Sequence, residues 1–364
     1  MFPWYAGSWT FVEVLHSPCS ALAGGIVAGS EVPVSNEVSN SASSSPRRLF
    51  TRRRVLAGLG AVAGTGVLAA GGVFAYDRHR RFGRTSDASV PDHRIDLPAA
   101  LPRMVIARGT EPAKSVRAAV ERMGGMSQFV HSADVVVVKP NIGWDRSAEQ
   151  GANTHPDVVA EVVRLCREAR ARRVIVCDCP VKQARRSFER SGILSAAIGA
   201  GAEVILPEDS RYRQVRVSPR LGTWDILEPF VIATKVINVP VAKHHSSSGL
   251  TMGMKNLMGV TGDDRSRWHW QLHEAITDIN LAVRSHLTVI DATWIMRRGG
   301  PTGGSLSFLE RRDMVIASGN VVSADAEAAA LFGLQPSGIA HLKLAAAAGI
   351  GRISGYSVGR AIGA

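Results

Sequence analysis

The sequence is poor in cysteine. It has four cysteines in 364 residues, and they form no C-x2-C-x2-C run, so an intrinsic iron–sulfur cluster of the ferredoxin type is not expected. Cys177 and Cys179 are separated by one residue, which is closer than the C-x2–4-C spacing of structural zinc sites. Burial of these thiols, or a disulfide that involves Cys166, is therefore favoured over metal ligation.

Short motifs for nucleotides and common hydrolases are also missing. The P-loop pattern G-x-x-x-x-G-K-[ST] is absent, and no G-x-G-x-x-G follows a strand-like run, so NAD is not an expected cofactor. The metalloprotease pattern H-E-x-x-H is absent as well. The site must therefore be inferred from the chemistry of individual residues.

Acidic residues are fewer than basic ones, and the net charge of +12 is unevenly spread. Residues 1–45 carry −3, residues 46–84 carry +8, and the remaining +7 belongs to residues 85–364. No basic stripe with interleaved aromatic residues is present, so nucleic acid is not an expected partner. The positive balance of the long C-terminal part favours an anionic ligand or surface.

Residues 46–76 have the layout of an export signal. Arg52-Arg53-Arg54 precedes Val55–Tyr76, which contains no charged residue, and this order resembles a twin-arginine signal peptide. We therefore expect export across the cytoplasmic membrane by the twin-arginine machinery, with an uncleaved N-terminal membrane anchor as the alternative. Residues 1–45 are Ser-rich and patternless, which indicates a disordered leader or a reading frame started too early.

After a polar linker, about 77–100, strand and helix patterns alternate through residues 101–364. Asp134–Val138 is a continuous apolar run, as expected of a strand buried on both faces. The alternation predicts an α/β fold with a mostly parallel, doubly wound (Rossmann-like) sheet and helices on both faces. Residues 211–232 are less regular and predict an antiparallel excursion.

Further strands are predicted at Met104–Ala107, Val174–Val176, Glu203–Leu206, Val236–Val239, Leu287–Asp291 and, as the last one, Asp313–Ala317. Helices are predicted at Ala113–Met123, after a Thr154 cap and Pro156, and at Ser187–Ala200, Trp268–Arg284, Ala324–Phe332 and Pro336–Ala348.

Donor groups are concentrated in Lys243–Gly259, directly after the Val236–Val239 strand. This segment holds two lysines, two histidines, several hydroxyls and three glycines, and it is expected to be a glycine-rich loop that cradles an anion. Lys139-Pro140-Asn141 follows another buried strand. Because ligands of doubly wound sheets bind at the carboxyl ends of the strands, both segments are predicted to form walls of one site, with Asp291 as a third.

Histidines and acids near these strand ends raise the question of a divalent metal. His269 and His273 are spaced i, i+4 on a predicted helix, so both rings could face one ion. A histidine acting as a general acid or base, or as an anion-binding cation, is at least as plausible. Asp325 could instead stabilise a helix dipole.

The sequence thus predicts three groups of site residues. The catalytic candidates are His244, Lys255, His269 and Asp291. The substrate-binding candidates are Lys139, Asn141, Thr154, Lys243, Thr251 and Asn256. The metal-ligating candidates are His245, His273, Asp178 and Asp325.

Eight ordered blocks of the sequence resemble the domain-of-unknown-function 362 family. The blocks are Val138–Asn141, Thr154–Pro156, Asp178 with Pro180, Ile237–Pro240 with Lys243 and His244, Thr251–Gly259, Arg267 with His269, Asp291 with Gly300-Pro301, and Ser323–Ala326. The resemblance runs from about Val135 to Gly351 and implies an exported or cytoplasmic α/β protein of unassigned activity. Some relatives carry ferredoxin modules, but this chain lacks the cluster cysteines. It also has Cys177 and Cys179 where small or hydroxyl residues are expected.

These observations predict an exported enzyme that acts on an anionic small molecule, a carboxylate or a phosphate. The lysines would bind the anion, and a histidine–aspartate pair would transfer a proton. The alternatives are a non-catalytic ligand- or metal-binding protein and a membrane-tethered scaffold. The enzyme requires Asp291 and His244 or His269 to lie within hydrogen-bonding reach of each other or of the cradle.

Overall fold

The apolar runs of the sequence become strands. The computed structural model describes residues 88–92, 97–207, 211–262 and 265–363. Its strands are β1 (Met104–Arg108), β2 (Val135–Pro140), β3 (Arg173–Cys177), β4 (Glu203–Ile205), β5 (Tyr212–Ser218), β6 (Gly222–Leu227), β7 (Lys235–Val239), β8 (Val241–His245), β9 (Gly249–Thr251), β10 (Leu287–Met296), β11 (Leu309–Ser318) and β12 (Gly359–Ile362).

Within the described ranges, ten of these strands form one mixed sheet. Its path is β12-β1-β11-β10-β7-β2-β3-β4, and β10, β7, β2, β3 and β4 are mutually parallel. β11 runs antiparallel to β1 and β10, while β8 pairs in parallel with β10 and antiparallel with β9. β5 and β6 form a separate antiparallel pair. The predicted α/β class, mostly parallel sheet and antiparallel excursion are confirmed.

Helices connect the strands. They are α1 (Pro112–Arg122), α2 (Pro156–Glu168), α3 (Ala184–Arg190), α4 (Ile193–Gly199), α5 (Glu228–Ile232), α6 (Gly253–Asn256), α7 (Leu272–Ala282), α8 (Val321–Ala329) and α9 (Ala340–Ala347), with short 3-10 turns between some of them.

The core lies on both faces of the sheet, as the continuous apolar run of β2 predicts. Val136 and Val138 pack into one apolar cluster with side chains of α1 and α2. Val135 and Val137 point the other way and pack into a second cluster with side chains of α7 and α8. Successive side chains of a strand point to opposite faces, so a central strand covered on both faces needs apolar residues at every position.

The three cysteines that the structure describes, Cys166, Cys177 and Cys179, are buried and free. Cys166, on α2, packs in the cluster of α1 and α2. Cys177, at the end of β3, packs in the cluster on the opposite face of the sheet. The predicted burial is confirmed for these thiols, and the alternative of a disulfide through Cys166 is wrong.

Three local predictions differ from the structure. The helix predicted over 187–200 is two helices, α3 and α4, because Gly192 between them has φ 76° and interrupts the helical backbone. The segment after β7 is a β8–β9 hairpin followed by α6 rather than a loop. β11 is not the last strand, since β12 pairs with β1 in parallel.

The start of α2 also differs from the prediction. Its N-cap is His155, whose Nδ1 accepts a hydrogen bond from the Asp157 backbone at 3.2 Å. Thr154 does not cap the helix, because its hydroxyl donates to the Val239 carbonyl at 2.7 Å and accepts from the Asn141 N–H at 2.8 Å. Through these two hydrogen bonds, Thr154 connects the end of β7 with the loop after β2.

Most of the predictions for the N-terminal part of the chain concern residues that the structure does not describe. The predicted leader 1–45 and signal 46–76 lie outside the described residues. In the part of the predicted linker that is described, Ala88 forms a bridge with Val215 of β5. No helix among the described residues is long and apolar enough to cross a membrane.

Candidate functional site

A cavity of about 350 Å³ lies where β2 and β3 end, beside the β8–β9 hairpin and α6. Nine of the residues predicted from the sequence line it: Lys139, Asn141, Asp178, Lys243, His245, Thr251, Lys255, Asn256 and His269. Thr154, His244, His273, Asp291 and Asp325 are not in its lining. A larger cavity of about 470 Å³, lined by Arg103, Arg284 and Asn320 among others, contains none of the predicted residues. The concentration of polar groups makes the smaller cavity the candidate site.

Lys139 is fully buried at the end of β2. Its Nζ donates to Asp178 Oδ1 at 2.7 Å, Pro140 O at 2.9 Å and Asn256 Oδ1 at 3.2 Å. Asp178 Oδ2 accepts from the Ile142 N–H at 2.7 Å. Burial lowers the pKa of Lys139, and the Asp178 carboxylate opposes that shift. An ammonium has three N–H donors, and these three acceptors use all of them. Lys139 therefore connects the strand ends rather than offering a free cation. Asp178 is the ion-pair partner of Lys139 rather than a metal ligand.

Gly259 leaves the room that this ion pair needs. A Cβ at position 259 would overlap Asp178 Oδ1 and lie 2.8 Å from Lys139 Nζ. We expect Gly259→Ala to lower the free energy of unfolding by about 1–3 kcal/mol, because a packed site must move to admit a methyl group. Urea denaturation measures this. The matched control is Gly143→Ala, whose Cβ would meet only Asn141 Oδ1 at 3.7 Å. Equal stabilities for the two variants would contradict the steric argument.

Two amide side chains connect the lysines. Asn141 Oδ1 accepts from Lys243 Nζ at 2.9 Å, and Asn141 Nδ2 donates to Asn256 Oδ1 at 2.9 Å. Asn256 Nδ2 donates to Lys139 O at 3.2 Å and to Asn238 Oδ1 at 2.8 Å. These contacts fix the orientation of both amides, so the floor of the cavity is preorganised before any ligand binds.

Lys243 lies on β8 and is buried. Its Nζ contacts neutral oxygens, Asn141 Oδ1 and Ala152 O, the latter at 2.5 Å. Burial, and then the charge of Lys255, lower the pKa of Lys243 to about 7. The amine therefore exists in both protonation states near neutral pH, which suits a lysine that moves a proton.

Lys255 and Arg265 form the cationic wall of the cavity. The contact of Lys255 Nζ is the Met258 sulfur at 3.4 Å, a weak acceptor. Burial, and then the charge of Arg265, lower the pKa of Lys255 to about 8. The Arg265 guanidinium donates to the backbone oxygens of Cys179 and Pro180 at 2.8 and 2.9 Å. Within the described part of the chain, neither set of contacts includes a carboxylate, so this wall is suited to an anion.

His245 is a neutral imidazole in the lining. Burial, and then the charges of Lys255 and Lys243, lower its pKa to about 3. Its Nδ1 accepts from the backbone N–H groups of Ser247 and Ser248 at 3.1 and 3.2 Å, so the ring proton sits on Nε2. A metal on Nε2 would need that proton removed, because Nδ1 is already an acceptor. His245 is thus better suited to donate a hydrogen bond than to bind a metal.

Thr251 provides a hydroxyl opposite Lys243. The two residues are paired across the β8–β9 hairpin, and both line the cavity. Thr251 Oγ1 is buried without a hydrogen-bond partner among the described residues. A buried hydroxyl left unpaired costs about 1–3 kcal/mol, and a ligand oxygen in the cavity would remove that cost.

Asp325 and Asp291 support backbone rather than chemistry. Asp325 is buried on α8 and accepts from the N–H groups of Gly253 and Met254 at 2.7 and 2.8 Å, which caps the start of α6. Asp291 Oδ2 accepts from the His155 N–H at 2.7 Å, while its Oδ1 accepts from the backbone and hydroxyl of Thr293. The carboxylate of Asp291 accepts from backbone and hydroxyl groups rather than from a histidine ring, so the predicted histidine–Asp291 pair is not formed, and the metal role of Asp325 stays a prediction.

The predicted histidine pair does not form. His269 lies in the 3-10 turn Arg265–Gln271, is exposed, and its Nδ1 contacts Ser266 O at 3.2 Å at the rim of the cavity. His273 lies on α7, where its Nδ1 is 3.1 Å from Nδ1 of His341 on α9. The change of helix type between the two positions breaks the i, i+4 spacing. Among the described residues, no three His, Cys, Asp or Glu side chains group as metal ligands.

His244, predicted from the sequence to be catalytic, does not line the cavity. Lys243 and His245 line the cavity, whereas His244 lies between them on β8 and points away. Successive side chains of a strand point to opposite faces, so His244 and its two neighbours lie on different faces of β8. The sequence predicts a loop here, and a loop does not impose this alternation. Sequence reasoning also missed Arg265, Asn238 and Ser247. Asn238 could have been found, since it is the polar residue of the predicted strand Val236–Val239 and lies next to the carboxyl end of that strand.

The fold and the site define a class: an α/β protein with a cationic cavity at the carboxyl ends of parallel strands. Residues 136–330 match the family model described as Domain of unknown function (DUF362). This match covers more than half of the chain, and the chain belongs to that family. The family resemblance expected from the sequence blocks is confirmed.

Two known proteins are similar to the chain. The thylakoid-associated protein sll1697 of Synechocystis sp. is 28% identical over 198 residues, which are 52% of this chain and 61% of that relative. The lactate racemase apoprotein of Thermoanaerobacterium thermosaccharolyticum is 12% identical, with a TM-score of 0.39 over 71% of this chain and 61% of its own. The chain thus spans less than two thirds of either protein, and this similarity assigns no activity.

Proposed function

We propose that the protein binds a small anionic molecule, a carboxylate or a phosphate, in the cavity beside β8 and α6. One observation carries the proposal. Among the described residues, the lining holds four cationic side chains, Lys139, Lys243, Lys255 and Arg265, and one carboxylate, Asp178. Asp178 pairs with Lys139 at 2.7 Å, and the contacts of the other three cations with described residues are to neutral oxygens and a sulfur. An anion would restore the balance of charge.

The proposed chemistry is proton transfer and electrostatic polarisation by the lysines. Lys243 has a pKa near neutrality, which is the range that favours a general acid or base. Lys255 is placed to hold the charge of the ligand. The predicted histidine–Asp291 pair is not assembled, so proton transfer is assigned to lysine. The alternative is a non-catalytic binding protein that uses the same cations without turnover.

Binding of a simple anion tests the proposal. We expect 2-hydroxybutanoate or inorganic phosphate to bind the wild-type protein, and Lys255→Met to weaken binding about tenfold to hundredfold, because a charge-assisted hydrogen bond contributes about 1.5–3 kcal/mol. Isothermal titration calorimetry measures both dissociation constants. The control is Lys343→Met, which removes an exposed lysine of α9 and should bind like wild type.

Two results would contradict the proposal. One is the absence of binding to wild type across a panel of carboxylates and phosphates. The other is equal affinity for wild type and Lys255→Met, which would place the anion elsewhere. If Lys343→Met weakened anion binding as much as Lys255→Met does, the loss of affinity would come from the net charge of the protein rather than from the cavity.

Export is a separate proposal that rests on the sequence alone. The arginines before Val55–Tyr76 support a twin-arginine signal and an extracytoplasmic location, either with cleavage or with an N-terminal anchor.

A further inference from the structure

The two lysines of the cavity have different surroundings. Lys255 has a sulfur contact and lies in a wall with Arg265, so it is suited to hold an anionic group. Lys243 is held by two neutral oxygens, Asn141 Oδ1 at 2.9 Å and Ala152 O at 2.5 Å. A neutral amine has two N–H donors and one lone pair, so these acceptors match the uncharged form and leave the lone pair free.

From this division of roles we propose that the ligand is a 2-oxo acid, and that Lys243 forms an imine with its carbonyl carbon. The inference rests on the proposed anion site, because Lys255 and Arg265 must hold the carboxylate beside Lys243. A 2-oxo acid carries a carboxylate next to a ketone, and the cavity of about 350 Å³ lies in the size range of small-ligand sites.

The surroundings activate the amine in two ways. Burial removes water that would stabilise the ammonium, and the positive charge of Lys255 disfavours a second charge nearby. A desolvated lysine beside another cationic group is a recognised form of activated nucleophile. The positive charge of Lys255 therefore serves both to bind the anion and to activate the amine of Lys243.

The neighbouring groups fit the addition step. The Nζ lone pair of Lys243 attacks the carbonyl carbon, so that a C–N bond forms, the C=O π bond breaks, and one Nζ proton passes to the oxygen. The resulting hydroxyl then leaves as water with the remaining Nζ proton, the C–O bond breaks, and the C=N bond forms. No atom is oxidised or reduced. His245 Nε2–H and the Thr251 hydroxyl, both in the lining, are available to donate hydrogen bonds to the oxygen as its charge develops.

Reductive trapping tests the inference. The full chain is incubated with 2-oxobutanoate and cyanoborohydride, and the adduct is located by mass spectrometry of proteolytic peptides. We expect about one adduct per chain on Lys243, half-saturating at the dissociation constant of the anion and competed by 2-hydroxybutanoate, which has no carbonyl. Lys243→Arg keeps a positive charge, but a guanidinium does not form the reducible imine. We therefore expect no adduct at position 243 in this variant. The wild-type peptide map decides the result even if a variant does not fold.

The outcomes separate the two proposals. An adduct on Lys255, or labelling scattered over exposed lysines without competition, overturns the assignment to Lys243. No adduct despite measured binding of 2-hydroxybutanoate overturns the imine and leaves the anion site standing. No binding of either acid overturns the imine, and the proposed function is overturned as well if phosphate and the other carboxylates of the panel also fail to bind.

Discussion

Asp178→Asn is expected to lower the free energy of unfolding by about 3–5 kcal/mol, since removing one partner of a buried ion pair leaves the other charge uncompensated. Lys139 is fully buried and donates to Asp178 at 2.7 Å. The carboxylate also accepts from the backbone of Ile142 and Cys179, and an asparagine cannot replace all of these bonds. Urea denaturation followed by circular dichroism measures the loss.

The matched control is an exposed ion pair on the same sheet. Arg173 of β3 and Glu203 of β4 lie 2.7 Å apart, with 42% and 50% of their side chains exposed. Glu203→Gln should cost less than about 1 kcal/mol, because water screens such a pair. A similar cost for Asp178→Asn and Glu203→Gln would contradict the view that Lys139 and Asp178 form a buried anchor.

The affinity for a carboxylate should fall by more than about tenfold between about pH 6 and about pH 9, because an ammonium that deprotonates no longer attracts the anion. The pKa is about 7 for Lys243 and about 8 for Lys255 in the free protein. A bound anion raises both pKa values, so binding takes up protons. Affinity is therefore fully present below about pH 7 and is lost as pH rises through both pKa values.

Titration calorimetry with 2-hydroxybutanoate measures this dependence. The probe stays ionised over the whole range, since a carboxylate titrates near pH 4, so a change in affinity reports on the protein. Repeating the titration in buffers of different ionisation enthalpy gives the number of protons taken up. Lys255→Met should remove the contribution of the upper pKa. A dissociation constant that does not change with pH would show that neither lysine contacts the anion.

The sequence by itself determined the strands at the centre of the sheet and their order of appearance. β2 and β3 contain the continuous apolar runs Val135–Val138 and Val174–Cys177, and such runs favour strands buried on both faces. The polar residues directly after them, such as Lys139 and Asn141, could then be placed at one edge, because the carboxyl ends of parallel strands meet there.

The partners of the site residues were decided by the tertiary structure. Lys139 pairs with Asp178, 39 positions away, and contacts Asn256, 117 positions away, and no local pattern encodes such a choice. The same holds for Asp291, which the sequence placed beside a histidine but which binds the backbone of His155. Long-range contacts also decide that Lys139 is the lysine paired with Asp178, and they set the pKa of each amine through burial and neighbouring charge.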